Sequence, residues 1–506
     1  MSSTNVSLIL AESAQRYPDK AAVVLGPATV TYSQMWAQAR RFGAALQDAG
    51  VGFGDRVALM IPNVPQFPMA YYGALAIGAS VVPVHSLLVA DEIDYVLRDS
   101  GATVFICAGP LLGEGAKGAE LAGVPVWSVL HEGDEVPSLE RAAGAASPVD
   151  LVLRDPADEA VVLYTSGTTG APKGAVLSHD NVMWNATMSA FDTVRLQPDD
   201  VIFGALPLFH SFGQVVVLNA GFRAGATIAL VPRFDPAAAM DIIEATGVTV
   251  FAGVPTMYVA LLEFAQGDAR RPQFRLAVSG GASLPVAVID RFKDTFGADI
   301  YEGYGLSETS PVATFNQSWY GRKPGSVGRP IWGVEVAITQ PELEGELEFL
   351  PTGAVGEIVI RGHNVFTGYL NKPDATDAVM VGDWFRSGDL GYADEDGFIF
   401  IVDRKKDLII RGGFNVYPRE VEEVLMRHPA VSQVAVVAMP DATYGEEICA
   451  VVVLTADGQV EADELITWSQ DFLGKHKYPR QVRFVESLPL GPSGKILKRE
   501  IVQGLQ

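Results

Sequence analysis

Short apolar runs alternate with amphipathic stretches of helical length along most of this chain, and no other pattern limits its fold so strongly. Apolar runs at residues 56–62, 80–84, 102–107, 201–208, 226–232, 248–254, 275–281 and 298–304 have strand length, and helical patterns at 90–98, 236–245 and 285–296 lie between them. Such alternation predicts parallel sheets covered by helices on both faces. A first helix is expected from Tyr32, with Ser33 as its cap, a stripe of Met35, Ala39, Phe42 and Leu46, and Gly50 as its stop. From 325 to 403 the texture changes to short apolar runs between turns, which predicts a β-rich subdomain. Beyond it, a helix at 418–427, strands at 431–439 and 448–454, a helix at 462–472 and a strand at 482–486 predict a small α+β unit. The charged cluster at residues 404–407 is read as a hinge, because such charges resist burial.

Residues 164–174, YTSGTTGAPKG, follow the apolar run Ala160, Val161, Val162, Leu163. A strand therefore runs into a loop of backbone N–H groups, hydroxyls and one ammonium, which can hold a polyphosphate. Glycine permits close backbone approach, and each hydroxyl can donate to a phosphate oxygen. The spacing does not match a Walker A motif. The same composition also suits a surface loop.

With 506 residues, 48% of them hydrophobic, the chain can bury more than one core. Its two cysteines, Cys107 and Cys449, sit far apart in apolar runs and offer neither a disulfide framework nor a Cys-rich zinc site. The net charge of −23 argues against nucleic acid and against adsorption on anionic lipid. From Asp403 onward thirteen Lys/Arg stand against fifteen Asp/Glu, so almost all the excess acid lies in the first 402 residues. The opening stretch reads as an amphipathic helix and not as a signal peptide, and no window has the roughly 18 uninterrupted apolar residues of a membrane span. A soluble, cytoplasmic protein is expected.

Seven further motifs follow the glycine-rich loop: LPLFHSFG (206–213), SGGA (279–282), EGYGLSET (302–309), SGDLG (387–391), DRKKDLII (403–410), GGFNVYPREVE (412–422) and GPSGKILKRE (491–500). In this order they resemble the signatures of the adenylate-forming superfamily, which joins acyl-CoA synthetases, peptide-synthetase adenylation domains and luciferases. The chain most resembles the acyl-CoA synthetase, or fatty-acid–CoA ligase, branch. The resemblance spans nearly the whole chain. It implies an α/β fold: a large N-terminal AMP-binding domain (1–403) of two doubly wound sheets plus the β-rich subdomain (325–403), the hinge (404–407), and a small mobile α+β domain (408–506).

The resemblance also implies roles. Thr165, Ser166, Gly167, Thr168, Thr169, Gly170 and Lys173 would close over the β- and γ-phosphates of ATP, with Ser307 reaching the α-phosphate. Glu308, with Thr165, would hold Mg2+; carboxylate, hydroxyl and phosphate oxygens suit that ion. Gly280, Gly281 and Ala282 would meet the adenine edge, Tyr304 would stack on its face, and Glu302 and Gly303 would complete the wall. Asp389 would accept from the ribose hydroxyls, and Arg404 would donate to the same sugar. Lys495 would be the catalytic cation of the first half-reaction, although Gly491 stands where many relatives carry Thr or Asn. His210 would gate and position beside the acyl pocket, whose lining would be Phe209, Phe212, Gly213, Val254, Met257 and Gly281. Lys406 would be the pivot of the hinge, and Gly412, Gly413 and Phe414 would line the entry of the pantetheine arm.

Each residue also has a plainer reading: Tyr304 a core aromatic, Asp389 a turn residue, His210 a satisfied core histidine, Gly412 and Gly413 a simple β-turn. The implied reaction is a ligase chemistry, in which a carboxylate attacks the α-phosphate of ATP and the acyl adenylate then passes to a thiol. Activation of this kind needs positioning and charge neutralisation more than a protein nucleophile. The pocket residues are apolar or small with no arginine for a second carboxylate, so a hydrophobic monocarboxylic acid fits, first a medium- or long-chain fatty acid, second an aryl acid. The acceptor expected is CoA. The rivals are a ligase loading the phosphopantetheine of an acyl carrier protein, and a nucleotide-binding scaffold without activity. Oligomeric state is not readable from the sequence.

Overall fold

A computed structural model describes residues 3–165, 171–343, 345–491 and 494–505. Its fold is mixed α/β, with a large N-terminal part built on two mainly parallel sheets and a smaller C-terminal part. The nine-stranded sheet has a parallel centre in the spatial order Ile300–Gly305, Leu276–Ser279, Val250–Gly253, Val201–Gly204, Thr227–Leu230, Ala21–Leu25. Antiparallel strands close both edges. The seven-stranded sheet runs from Gly368–Tyr369 through Lys173–Ser178, Glu159–Thr165, Ser80–Pro83, Arg56–Met60 and Val104–Ala108 to Val126–Val129. One hydrophobic core serves both sheets and reaches into a five-stranded antiparallel sheet built between Val334 and Arg404. The C-terminal sheet, formed between Ile409 and Phe484, has a core of its own around Val421, Val436, Ile448 and Leu465.

Aromatic packing sets the helices that carry the site. Phe251, on a buried strand, stacks on Phe203 at 5.1 Å and meets Tyr258 and Phe292 from the helices Pro255–Gly267 and Val286–Phe296. The Tyr258 hydroxyl is buried but donates to the Val278 carbonyl at 2.7 Å, so its burial leaves no polar group unpaired. Together these contacts fix where Val254 and Gly281 leave their strands.

Several boundaries differ from the expectation. Thr31, not Ser33, caps the helix Tyr32–Asp48, in a reciprocal arrangement with Gln34; the stripe Met35, Ala39, Phe42, Leu46 is buried as the periodicity predicts. The run 201–208 stops being strand at Gly204 because the side chain of Asn63 replaces the neighbouring strand. Its amide donates to the carbonyls of Gly204 and Leu206 at 2.9 and 2.8 Å and accepts from Leu208 N–H at 3.0 Å. Phe212–Asn219 then winds as a π-helix, with the Asn219 amide donating to the Gln214 carbonyl at 2.9 Å. Lys173 opens a second strand, so the glycine-rich motif bridges a β-hairpin whose register pairs Thr165 with Lys173. A terminal helix, Lys498–Leu505, has no counterpart in the sequence reading.

Candidate active site

The segments that follow three neighbouring strands of the nine-stranded sheet, Val201–Gly204, Val250–Gly253 and Leu276–Ser279, meet one C-terminal loop in a cleft. The C-terminal loop supplies Lys495. Its turn is closed by the Gly491 N–H, which donates to the Lys495 carbonyl at 2.7 Å. The loop is seated on the N-terminal part by the Thr256 hydroxyl, which donates to the Gly494 carbonyl at 3.1 Å. Gly494 has φ +79°, and a Cβ there would lie 2.9 Å from Val254 Cγ2. Lys495 consequently reaches Gly281, whose own Cβ would sit 3.3 Å from Lys495 Cε. Burial lowers the lysine to about 8, with Arg404 lowering it further and Asp389 and Glu308 opposing. At pH 7 the ammonium is still the dominant form.

Leu206, Pro207, His210, Phe212, Gly213, Val254, Gly281 and Lys495 line one narrow cleft. With Lys495 seated, the free space between them is no more than about one water molecule. Phe212 also backs Gly280, where a Cβ would come within 3.2 Å of its ring. Phe209 and Met257, expected on the same lining, sit elsewhere. The Phe209 ring packs on His85 at 4.5 Å, and Met257 is buried beneath Gly253. His210 is held neutral, its basicity pushed down to about 3 by burial and by the nearby Lys495 ammonium. Its Nδ1 accepts the Phe212 N–H at 3.2 Å.

Thr165 and Lys173 belong to the hairpin of Glu159–Thr165 and Lys173–Ser178. Ser166, Gly167, Thr168, Thr169 and Gly170 lie outside the described residues. Lys173 Nζ stands 5.0 Å over the Tyr369 ring, and the Tyr369 hydroxyl donates to Glu308 Oε1 at 2.8 Å. Tyr369 is a link that sequence reasoning missed; its FTGYLNKP segment carried no recognised motif. Glu308 is buried in a one-turn helix with the partly buried Ser307, and that turn packs against Gly305, where a Cβ would fall 1.7 Å from the Pro311 carbonyl oxygen. Only glycine fits there. The Thr165 hydroxyl donates to the Lys173 carbonyl at 3.4 Å, a long bond that a stronger partner can replace. One carboxylate and one hydroxyl suit a hard divalent cation held mainly by phosphates. Among the described residues no cluster of three or more His, Cys, Asp or Glu could form an all-protein cage.

Asp389 and Arg404 are cross-strand partners. The Tyr304 hydroxyl donates to Asp389 Oδ2 at 2.7 Å, and Arg404 Nε stands 3.4 Å from Oδ1. Burial raises the carboxyl of Asp389 against the opposing pull of Arg404 and the Tyr304 hydroxyl. Tyr304 thus ties the strand Ile300–Gly305, with Gly303, to Asp389. Glu302, two residues earlier on that strand, is buried within electrostatic reach of Arg419 and Glu423 of the C-terminal part, and burial lifts it to about 7. Gly280, Gly281 and Ala282 follow the strand Leu276–Ser279, and Gly281 turns the chain at φ +83°.

The remaining predicted residues lie away from this cleft. Lys406 is exposed in the turn after Ile399–Arg404, where the Asp407 N–H donates to the Arg404 carbonyl. Gly412 and Gly413, at φ +56° and +82°, form the two-residue turn of a hairpin, and Phe414 is exposed beside His476. Their recorded contacts are with C-terminal residues such as Tyr444.

Residues 10–370 match the AMP-binding enzyme family, and residues 420–495 match the AMP-binding enzyme C-terminal domain. The chain is 36% identical to a long-chain-fatty-acid–CoA ligase of Bacillus subtilis (strain 168), over 98% of this chain and 93% of the relative. Among solved structures it resembles the anthranilate CoA ligase AuaEII in complex with anthranoyl-AMP, with a TM-score of 0.93, 26% identity, and coverage of 99% and 97%. It also resembles ATP-bound MatB from Rhodopseudomonas palustris, with a TM-score of 0.89, 33% identity, and coverage of 99% of each chain.

Proposed function

Because the chain belongs to the AMP-binding enzyme family, in the acyl-CoA ligase branch of the adenylate-forming superfamily, we propose that this AMP-forming acid–thiol ligase activates a hydrophobic monocarboxylic acid, with a medium- or long-chain fatty acid as first choice. The observation that carries the reading is the seating of Lys495 against Gly281, at the mouth of a cleft lined by Leu206, Phe212, Gly213 and Val254. An ammonium there can meet a carboxylate, the apolar lining opening to admit the acid's tail, and no arginine in the lining meets a second carboxylate.

In the first half-reaction a carboxylate oxygen attacks the α-phosphorus of ATP, the new O–P bond forms, and the bond to pyrophosphate breaks. Both reactants are anions, so neutralisation and alignment supply the rate. Lys495 bridges carboxylate and α-phosphate; Lys173 and the glycine-rich loop hold the β- and γ-phosphates; Asp389, Arg404 and Tyr304 fix the nucleoside. Glu308 and Thr165 would hold Mg2+, which when bound neutralises phosphate charge. In the second half-reaction the thiol sulfur attacks the acyl carbon, losing its proton, and AMP leaves. Lys495 fills the cleft in the present arrangement, so the thiol must arrive after the C-terminal part has turned about residues 404–407, with Lys406 at the pivot and Gly412, Gly413 and Phe414 brought to the channel. On this reading residues 1–403 and 408–506 are the fixed and moving domains.

An aryl acid is the second reading, favoured by the small free space of the cleft beside Phe212. CoA is preferred over an acyl carrier protein because the strand Ile399–Arg404 runs directly into the hinge, with no insertion between them. The test is carboxylate-dependent pyrophosphate release over acids of graded chain length and over aryl acids, with and without CoA. Turnover rising with chain length and AMP release requiring CoA support the reading. A maximum at aryl acids selects the second, and release that CoA does not stimulate selects the carrier protein.

A further inference from the structure

His85 lies just beyond the strand Ser80–Pro83 and belongs to none of the motifs that mark the site. Its Nδ1 accepts the Leu87 N–H at 2.8 Å. Burial keeps the ring neutral at physiological pH, its value pushed down to about 4. A neutral imidazole carries one proton, and with Nδ1 occupied as an acceptor that proton is on Nε2. Nε2 is itself buried and has no hydrogen-bond partner among the described residues. An unpaired buried donor is unfavourable, and that cost is relieved when an acceptor reaches it.

The surroundings show what kind of acceptor fits. The His85 ring lies against Phe209 with centroids 4.5 Å apart, and it is within electrostatic reach of His210, which lines the cleft. His210 is in the same state: neutral, with Nδ1 taken by the Phe212 N–H, and hence also with its proton on Nε2. Two imidazoles flanking Phe209 therefore present N–H donors and carry no charge. Neither is free to take a proton from a thiol, since the nitrogen that would accept it is already bound to backbone. A carboxylate or phosphate is better met by Lys495 and Lys173, so the partner of a neutral donor is a neutral oxygen.

We propose that His85 is a positioning and specificity-determining residue, whose Nε2–H donates to an uncharged acceptor oxygen of the bound substrate beside Phe209. That oxygen is either an amide carbonyl of the pantetheine arm or an oxygen substituent on the acid. The proposal rests on the acid–thiol ligase reading above.

The experiment compares wild type with His85→Phe, which keeps an aromatic ring but cannot donate, and His85→Asn, which keeps a donor. Wild type must first release pyrophosphate with at least one acid; if no acid serves, the ligase reading fails before His85 is tested. Two KM values are then measured at fixed pH: that for CoA, with enzyme given preformed acyl adenylate, and that for paired acids with and without an oxygen substituent. The expected result is a roughly tenfold rise in His85→Phe in one arm, with kcat within about twofold and melting temperature unchanged, and partial recovery in His85→Asn. A rise for CoA alone assigns the pantetheine carbonyl, and a rise for the substituted acid alone assigns the acid. Unchanged or lower KM in both arms overturns the proposal, as does a uniform loss across acid, ATP and CoA together with a lowered melting temperature.

Discussion

The Thr256 hydroxyl donates to the Gly494 carbonyl across 238 positions of sequence, and this bond seats the loop that carries Lys495. Thr256→Val keeps the shape and removes the donor. Adenylate formation should fall about three- to tenfold, in line with one neutral hydrogen bond. Gly494→Ala should fall further, since its Cβ meets Val254 and its φ of +79° disfavours any side chain. Thioester formation from synthetic acyl adenylate, measured separately, should change little in either variant; parallel loss in both half-reactions would mean that the contact holds the fold and not the adenylation state.

Lys495 gives the first half-reaction its pH dependence. The ammonium is needed, and burial has lowered it to about 8, so kcat/KM for pyrophosphate exchange should decline as pH rises through about 8. Lys495→Arg removes the titration, because guanidinium stays charged, and its residual exchange should be flat to pH 10. A variant profile that still falls near 8 would assign that limb to another group.

Glu302 is a titrating group at the interface between the two parts. Burial raises it from its usual range to about 7, with Glu423 adding to the rise and Arg419 opposing it. Protonated Glu302 is the form the folded protein prefers, so its contribution is full below about pH 4.5 and is lost as pH rises to about 7. Glu302→Gln should therefore abolish the decline in melting temperature over that window and be the more stable protein at pH 8, by about 1–3 kcal/mol. Identical pH profiles for the two proteins would contradict this.

The turn that starts with Arg404 must change its backbone angles if one site serves two reactions. Lys406→Pro fixes one of them. Pyrophosphate exchange should persist within about threefold while thioester formation falls by more than tenfold. A thioester step that survives the substitution would place the pivot elsewhere.

The alternation of strand and helix made the parallel sheets legible, and so were the Met35, Ala39, Phe42, Leu46 stripe and the convergence of Gly281, His210 and Lys495, because each sits in a motif or a period. What was not legible depended on distant partners. Asn63 ends the strand at Gly204 from 141 residues away, and Tyr369 meets Glu308 from 61. Glu302 shares a motif and a strand with Tyr304, yet its charged neighbours Arg419 and Glu423 come from the C-terminal part, a proximity that no motif announces. Phe209 belongs to the LPLFHSFG run yet packs on His85, which no motif marks.

The central claim is that this cleft makes an acyl adenylate with Lys495 as its cation. The direct measurement is exchange of labelled pyrophosphate into ATP, with magnesium and a panel of carboxylic acids, in wild type and Lys495→Ala. The account predicts acid-dependent exchange in wild type and its loss by at least a hundredfold in the variant, an estimate that follows from removing one buried charge aimed at the transition state. Absence of exchange with every acid, or equal exchange in the variant, would contradict it.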